Sequence, residues 1–241
     1  MPGKTTNSRR DRAVGALAGL LLVGSATAAT IAIDVGHSLS APGATSSYGE
    51  TEFSYNRALA LEIARTLRGA GHLVLLIGGD GDATSLRDRP AMAAAGRAEF
   101  FLSVHHDSAQ PQFLRTWHYQ GAERYEGDHS GYSFYVFPQH PRLTESARCA
   151  GAMSQALAAQ GFVRTLHHAE GVAGEHRPLR DAALGVYDAD FAVLRGATMP
   201  AVLFEAGVIV NKRDALTLAQ PATRLRIAAA VRDGLAACLP R

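Results

Sequence analysis

Three stretches of this chain run from apolar residues into side chains that bind metals. Ile31-Ala32-Ile33-Asp34-Val35-Gly36-His37 ends on a histidine, and Phe101-Leu102-Ser103-Val104-His105-His106-Asp107 ends on two histidines and a carboxylate. Val202-Leu203-Phe204-Glu205 ends on a glutamate, and Glu52 stands fifteen residues after His37, where a helical pattern begins. Two imidazoles and a carboxylate, with a fourth position left for water, make a catalytic zinc arrangement. A further carboxylate over that water would serve as general base. With ten histidines in 241 residues, spacing alone leaves a second reading open. Each histidine could equally be a loop residue that hydrogen-bonds locally and holds no metal.

Such residues need a scaffold that gathers strand ends, and in open α/β sheets sites collect at the carboxyl ends of strands. The chain reads as a strand over 30–34, then a helix over 54–68 with Leu59, Ile63 and Leu67 at i, i+4 and i+8 beside Ala60 and Ala64. Gly69 and Gly71 end that helix. A strand over 73–77, a loop over 78–85, a helix over 89–97 and a strand over 100–104 follow. Residues 110–131 are polar and aromatic without a period, and are expected to form a long surface loop bordering the cleft. A strand over 132–137 and a helix over 141–160 come next, then a stretch, 161–190, expected to be mostly loop. A short strand over 191–194, a strand over 201–205 and helices over 212–218 and 222–239 complete the series. Strands alternating with helices argue for a largely parallel sheet covered on both faces, in one domain.

The motifs, in this order, resemble those of the zinc-dependent N-acetylmuramoyl-L-alanine amidases of bacterial cell-wall metabolism (amidase_3 type). Asp34-Val35-Gly36-His37 is similar to that family's D-x-G-H, and Glu52 with Asn56 to its glutamate four residues before an asparagine. Leu86-Arg87-Asp88-Arg89 looks like its L-x-x-R, and Phe101 to His105 like its F-x-S-[IV]-H. Pro200 to Gly207 with Asn211 resembles P-A-V-L-x-E-x-G-F-x-x-N. The resemblance covers about 31–237. It implies a three-layer α/β/α sandwich around a mixed, mostly parallel sheet. It also implies Zn2+ on His37, Glu52 and His105, with Glu205 as the catalytic glutamate. The implied reaction is hydrolysis of the amide between the lactyl group of N-acetylmuramic acid and L-alanine, on peptidoglycan or muropeptides.

Two other functions fit the same resemblance: a zinc peptidase acting on stem peptides, and a non-catalytic cell-wall-binding or activator module. The chain departs from the family at several positions. His106-Asp107 replaces a small residue followed by Asn or Asp, and Val208 replaces an aromatic. His106 is read as an exposed loop residue, and Glu50 as a rival to Glu52 that lacks the spacing to Asn56. His118, His129, His140, His167, His168 and His176 are read as surface or loop residues with no metal role, and Arg89 as a structural residue at a helix start.

The composition, 47% hydrophobic and 19% charged, excludes a disordered tail, a collagen-like repeat and a heptad coiled coil. Residues 1–28 carry Lys4, Arg9, Arg10 and Arg12 against Asp11, a net +3 that leaves −1 for the rest of the chain. No basic face remains for nucleic acid. That first segment has a basic start, an uncharged run from Ala13 to Gly24 and small residues over 25–29. It reads as a signal peptide over 1–28 ahead of a catalytic domain over 29–241. The expectation is export to the periplasm or beyond, with no stable membrane span after processing. The two cysteines, Cys149 and Cys238, could form one disulfide or stand as two buried thiols. No Gly-x-Ser-x-Gly elbow, phosphate loop or Cys–His nucleophile signature is present. Any protein activator is left open.

Overall fold

A computed structural model describes residues 1, 3, 28–83, 85–172 and 176–240. The signal-peptide reading of 1–28 therefore lies almost wholly outside the described residues.

β1 (Thr30–Val35), β2 (Leu73–Ile77), β3 (Phe100–Asp107), β6 (Ser133–Val136), β7 (Leu179–Asp181), β8 (Val186–Asp188) and β9 (Ala201–Val208) form one sheet in the order β2-β1-β3-β9-β6-β8-β7. β1 pairs in parallel with β2 and β3, as do β3 with β9 and β6 with β8. The β6–β9 and β7–β8 pairs are antiparallel. The sheet is mixed and mostly parallel, as expected.

Strands buried on both faces need apolar runs, and the central strands β1, β3 and β9 supply them. Ile31, Ile33, Val35, Phe100, Leu102 and Val104 pack on one side, with α1 (Glu52–Gly69), α3 (Leu143–Ala159) and α6 (Pro221–Cys238). Ala32, Phe101, Leu203 and Tyr135 pack on the other, under α2 (Asp88–Ala95) and α4 (Ala192–Arg195). In α1 the apolar stripe Leu59, Ala60, Ile63, Ala64, Leu67 is fully buried. α5 (Lys212–Leu218) follows β9 and is capped by Asn211, whose side chain accepts from Arg213 N and Asp214 N. Three layers result.

The structure differs from the sequence-based expectations in two places. Residues 110–131 are not an open loop: β4 (Arg115–Tyr119) and β5 (Ala122–Glu126) make an antiparallel hairpin. Gln120 and Gly121, at φ 51° and 77°, form a two-residue turn of the primed kind that matches strand twist. One face of the hairpin is half-buried. There Trp117 donates from Nε1 to Ser47 O at 3.1 Å, and Lys212 Nζ sits 3.7 Å from the Trp117 ring centroid. The stretch 161–190 is mostly loop, as expected, with β7 and β8 as three-residue strands within it. Residues 191–194, expected as a strand, instead enter the short helix α4.

Of the two options for the cysteines, the structure has the disulfide: Cys149 of α3 bonds Cys238 of α6 across a separation of 89 residues. Closing a loop of that length stabilises the fold by about 4–5 kcal/mol in the chain-entropy account. The Cys149→Ser/Cys238→Ser variant is therefore expected to lose stability on that scale. Urea unfolding with and without reductant measures it, and reductant should leave the variant's midpoint unmoved.

Candidate metal and catalytic site

β1, β3 and β9 run in parallel toward one edge of the sheet, where His37 just after β1, His105 to Asp107 of β3 and Leu203 and Glu205 of β9 line a cleft of about 360 Å³. His37 follows β1 with φ 67°, a left-handed conformation uncommon outside glycine. Arg89 holds that turn. Its guanidinium donates to the carbonyl oxygens of Val35, His37 and Ala83, and pairs with Asp34 Oδ1 at 2.7 Å. Asp34 also accepts from Ser103 Oγ at 2.7 Å. Arg89 and Asp34 are both buried, so the residue at the helix start is the anchor of the β1 turn.

Glu52 opens α1 and is buried. Its Oε2 lies 2.9 Å from His37 Nε2 and accepts from Ala44 N at 3.1 Å; its Oε1 lies 3.0 Å from His105 Nδ1 and accepts from Asn56 Nδ2 at 3.2 Å. The four-residue spacing from Glu52 to Asn56 thus puts both on one helix face. Asn56 Nδ2 also donates to Gly36 O, while Asn56 Oδ1 lies 2.8 Å from His106 Nδ1. His106 is therefore not the exposed loop residue expected. It is buried, and burial pushes its imidazole down to about 3. It stays neutral and orients the Asn56 amide from behind. A chain of backing hydrogen bonds of this sort fixes ligand orientation at metal sites.

Two glycines leave the room that this cluster needs. A Cβ at Gly36 would lie 2.4 Å from the His105 ring, and one at Gly43 (φ +78°) 2.4 Å from Glu52 Oε2. Glu50 accepts from Ser46 Oγ at 3.1 Å instead of joining the cluster. Val208 is fully buried, its N–H donating to Asp214 Oδ2.

The donor atoms of His37, Glu52 and His105 lie within 4.8 Å of one another. Burial raises the Glu52 carboxyl, but hydrogen bonds and charge from His105 and His37 outweigh it and hold the group well below the usual carboxylate range. Burial lowers His37, and its bond to Glu52 outweighs that and raises it. The two shifts are one attraction seen from its two partners, a carboxylate and an imidazole held together. Two imidazole nitrogens and a carboxylate are a donor set suited to Zn2+. The residues fit the ion that the family implies.

Glu205 is paired with His105 in the β3–β9 register and lines the same cleft. Its Oε2 is buried with no hydrogen-bond partner among the described residues. Burial, then the negative charges of Asp107 and Glu52, push its carboxyl well above the usual range. His106, Asp107 and Ser108 also line the cleft, and Leu86, Phe191, Val193 and Leu203 give it an apolar wall.

The remaining histidines divide. His118 and His176 are exposed, as expected. His140 is buried instead, with Nε2 donating to Ala197 O and Nδ1 accepting from Arg142 N, both at 2.9 Å. His129, His167 and His168 are half-buried, and the last two face Asp107 at 3.5 and 2.7 Å.

A three-layer α/β/α domain that gathers a His–Glu–His cluster and a glutamate oxygen with no partner among the described residues into one cleft defines a class of α/β proteins with a candidate metal centre. Within that class, the sequence profile of the N-acetylmuramoyl-L-alanine amidase family matches residues 31–237, and the chain belongs to this family. It is 28% identical over 211 residues to N-acetylmuramoyl-L-alanine amidase LytC of Bacillus subtilis (strain 168), covering 85% of this chain and 34% of LytC. The chain thus spans about a third of that relative's length. Its fold is similar to the catalytic domain of CwlV, an N-acetylmuramoyl-L-alanine amidase from Bacillus (Paenibacillus) polymyxa var. colistinus. There the TM-score is 0.64 at 24% identity, over 86% of this chain and 96% of that one. It is also similar to the amidase Ami1 from Mycobacterium smegmatis, with a TM-score of 0.69 at 20% identity, over 88% and 97% of the two chains.

Proposed function

We propose that this chain is an exported zinc hydrolase that cleaves the amide between the lactyl group of N-acetylmuramic acid and L-alanine in peptidoglycan. In this reading His37, Glu52 and His105 hold the ion and Glu205 moves the proton. The observation that carries it is the Glu205 carboxyl, whose Oε2 is buried without a hydrogen-bond partner among the described residues, in the cleft that the three ligands line. A buried, unpartnered acid is costly to keep, and a catalytic proton carrier is a reason to keep one.

Zn2+ on the three residues would supply Lewis acidity toward the scissile carbonyl and toward water. The protein does the rest. Asn56, Ala44 N–H and the buried His106 hold the Glu52 carboxylate and thereby the spacing of the ligands. Glu205 takes a proton from the attacking water and returns it to the departing amine, so one carboxyl serves both steps. The apolar wall of Leu86, Phe191, Val193 and Leu203 excludes bulk water, which strengthens every charge interaction inside.

Export rests on the basic-then-apolar segment ahead of residue 29 and on the disulfide, which persists in oxidising compartments. No helix among the described residues is long and apolar enough to cross a membrane.

Mass spectrometry of muropeptides incubated with the purified protein, with and without a chelator, tests the reaction. The expected product is an intact stem peptide with a free L-alanine amine, absent under chelation. Cleavage within the stem would make the chain a peptidase, and no release from zinc-loaded protein would make it a binding module or activator.

A further inference from the structure

A second cluster of metal-binding side chains stands two residues beyond His105, and the hydrolytic reading does not use it. Asp107 ends β3. Its Oδ1 accepts from Ser108 N at 2.8 Å, while its Oδ2 lies 2.7 Å from His168 Nε2 and 3.5 Å from His167 Nε2. These donor atoms fall within 4.8 Å of one another, as those of His37, Glu52 and His105 also do.

Both imidazoles come from a single 3-10 turn, His167–Ala169, and their ring centroids are 3.9 Å apart. His167 Nδ1 is held by Thr165 Oγ1 at 2.8 Å. This contact fixes the ring and directs Nε2 at the carboxylate, as the outer partner of a ligating histidine does. His129 stacks on His167 at 4.6 Å, and Tyr135 and Tyr187 stand edge-on to His168 at 5.9 and 6.1 Å. A ring of aromatic groups around converging imidazole nitrogens and a carboxylate oxygen suits a borderline cation better than a hard one.

We propose that Asp107, His167 and His168 bind a second divalent cation of the zinc class, distinct from the one at His37, Glu52 and His105. An ion there ties the 3-10 turn to the end of β3. It also places positive charge on Asp107, one of the two carboxylates whose charge bears on Glu205. The competing account is a plain hydrogen-bonded network in which Asp107 accepts from two ring N–H groups.

Equilibrium dialysis of the full chain against micromolar Zn2+, with bound metal counted by mass spectrometry, separates the two accounts. Two ions per chain are expected in the unmodified protein. His168→Gln keeps a side-chain N–H for Asp107 but is a poor zinc ligand, so it should fall to one ion, as should His167→Gln. His37→Ala should lose the other ion and keep this one. A count of one in the unmodified protein, abolished by His37→Ala, overturns the proposal whatever the variants do. So does a count of two that survives both glutamine substitutions. Circular dichroism confirms that each variant counted is folded.

Discussion

Glu205→Gln is expected to lower turnover on muropeptides by ~10²–10⁴, the usual contribution of a general acid–base group, while leaving zinc content unchanged. The substitution keeps size and shape and removes only the capacity to take up and release a proton. Glu205 is not among the donors of the candidate metal site formed by His37, Glu52 and His105, so metal binding there should survive. Its Oε2 has no hydrogen-bond partner among the described residues, so little local structure depends on the charge. These two facts separate Glu205 from its neighbours. His37→Ala or His105→Ala should remove metal and activity together, whereas Glu205→Gln should remove activity alone. The check is paired: single-turnover product formation by mass spectrometry and zinc content on the same preparation. A Glu205→Gln enzyme turning over near the normal rate would falsify the proton-carrier role and leave Glu205 a structural residue of β9.

The parts of the fold visible in the sequence are those governed by short-range patterning. β1, β3 and β9 carry apolar runs, Ile31 to Ile33, Phe100 to Leu102 and Ala201 to Phe204, because both faces are covered there, and that pattern needs no knowledge of partners. The stripe of α1 is visible for the same reason. The convergence of His37, Glu52 and His105 is legible because each of the three sits near a strand end or at a helix start. The Glu52–Asn56 spacing is legible because one helical turn makes those side chains neighbours. What escapes depends on tertiary partners. His106 looks like any loop histidine until Asn56 reaches it across fifty residues. Asp107 and the pair His167 and His168 are about sixty residues apart in the chain, and nothing local marks them as one cluster. The β4–β5 hairpin turns on Gln120-Gly121, a weaker signal than Asn-Gly, and its mixed polar and aromatic strands show little contrast between faces. Residues 191–194 are too few for a helical period to be distinguished from a strand.

The Arg89–Asp34 pair joins fold to site, and removing one partner should show in both. Arg89→Leu leaves Asp34, fully buried, with Ser103 Oγ as its remaining side-chain hydrogen-bond donor among the described residues. Stranding a charge in this way costs about 3–5 kcal/mol, a large share of the roughly 5–15 kcal/mol that stabilises a typical domain. At about 2–4 °C per kcal/mol for a chain of this size, the melting temperature should fall by roughly 6–20 °C. If the cost comes from the orphaned carboxylate, Arg89→Leu/Asp34→Asn should recover part of it, because the neutral amide is far less costly to bury. The double variant should not recover the site. Arg89 also holds the carbonyl of His37 in its left-handed turn, and the amide introduced by Asp34→Asn does nothing for that carbonyl. Zinc affinity should therefore stay low in both variants, by the roughly 10–100-fold typical of lost supporting contacts. Melting curves and competitive zinc titration on the same two variants test the separation. Recovery of both properties together would mean that Arg89 serves the site only by keeping the protein folded. Recovery of stability alone would establish it as the residue that positions His37.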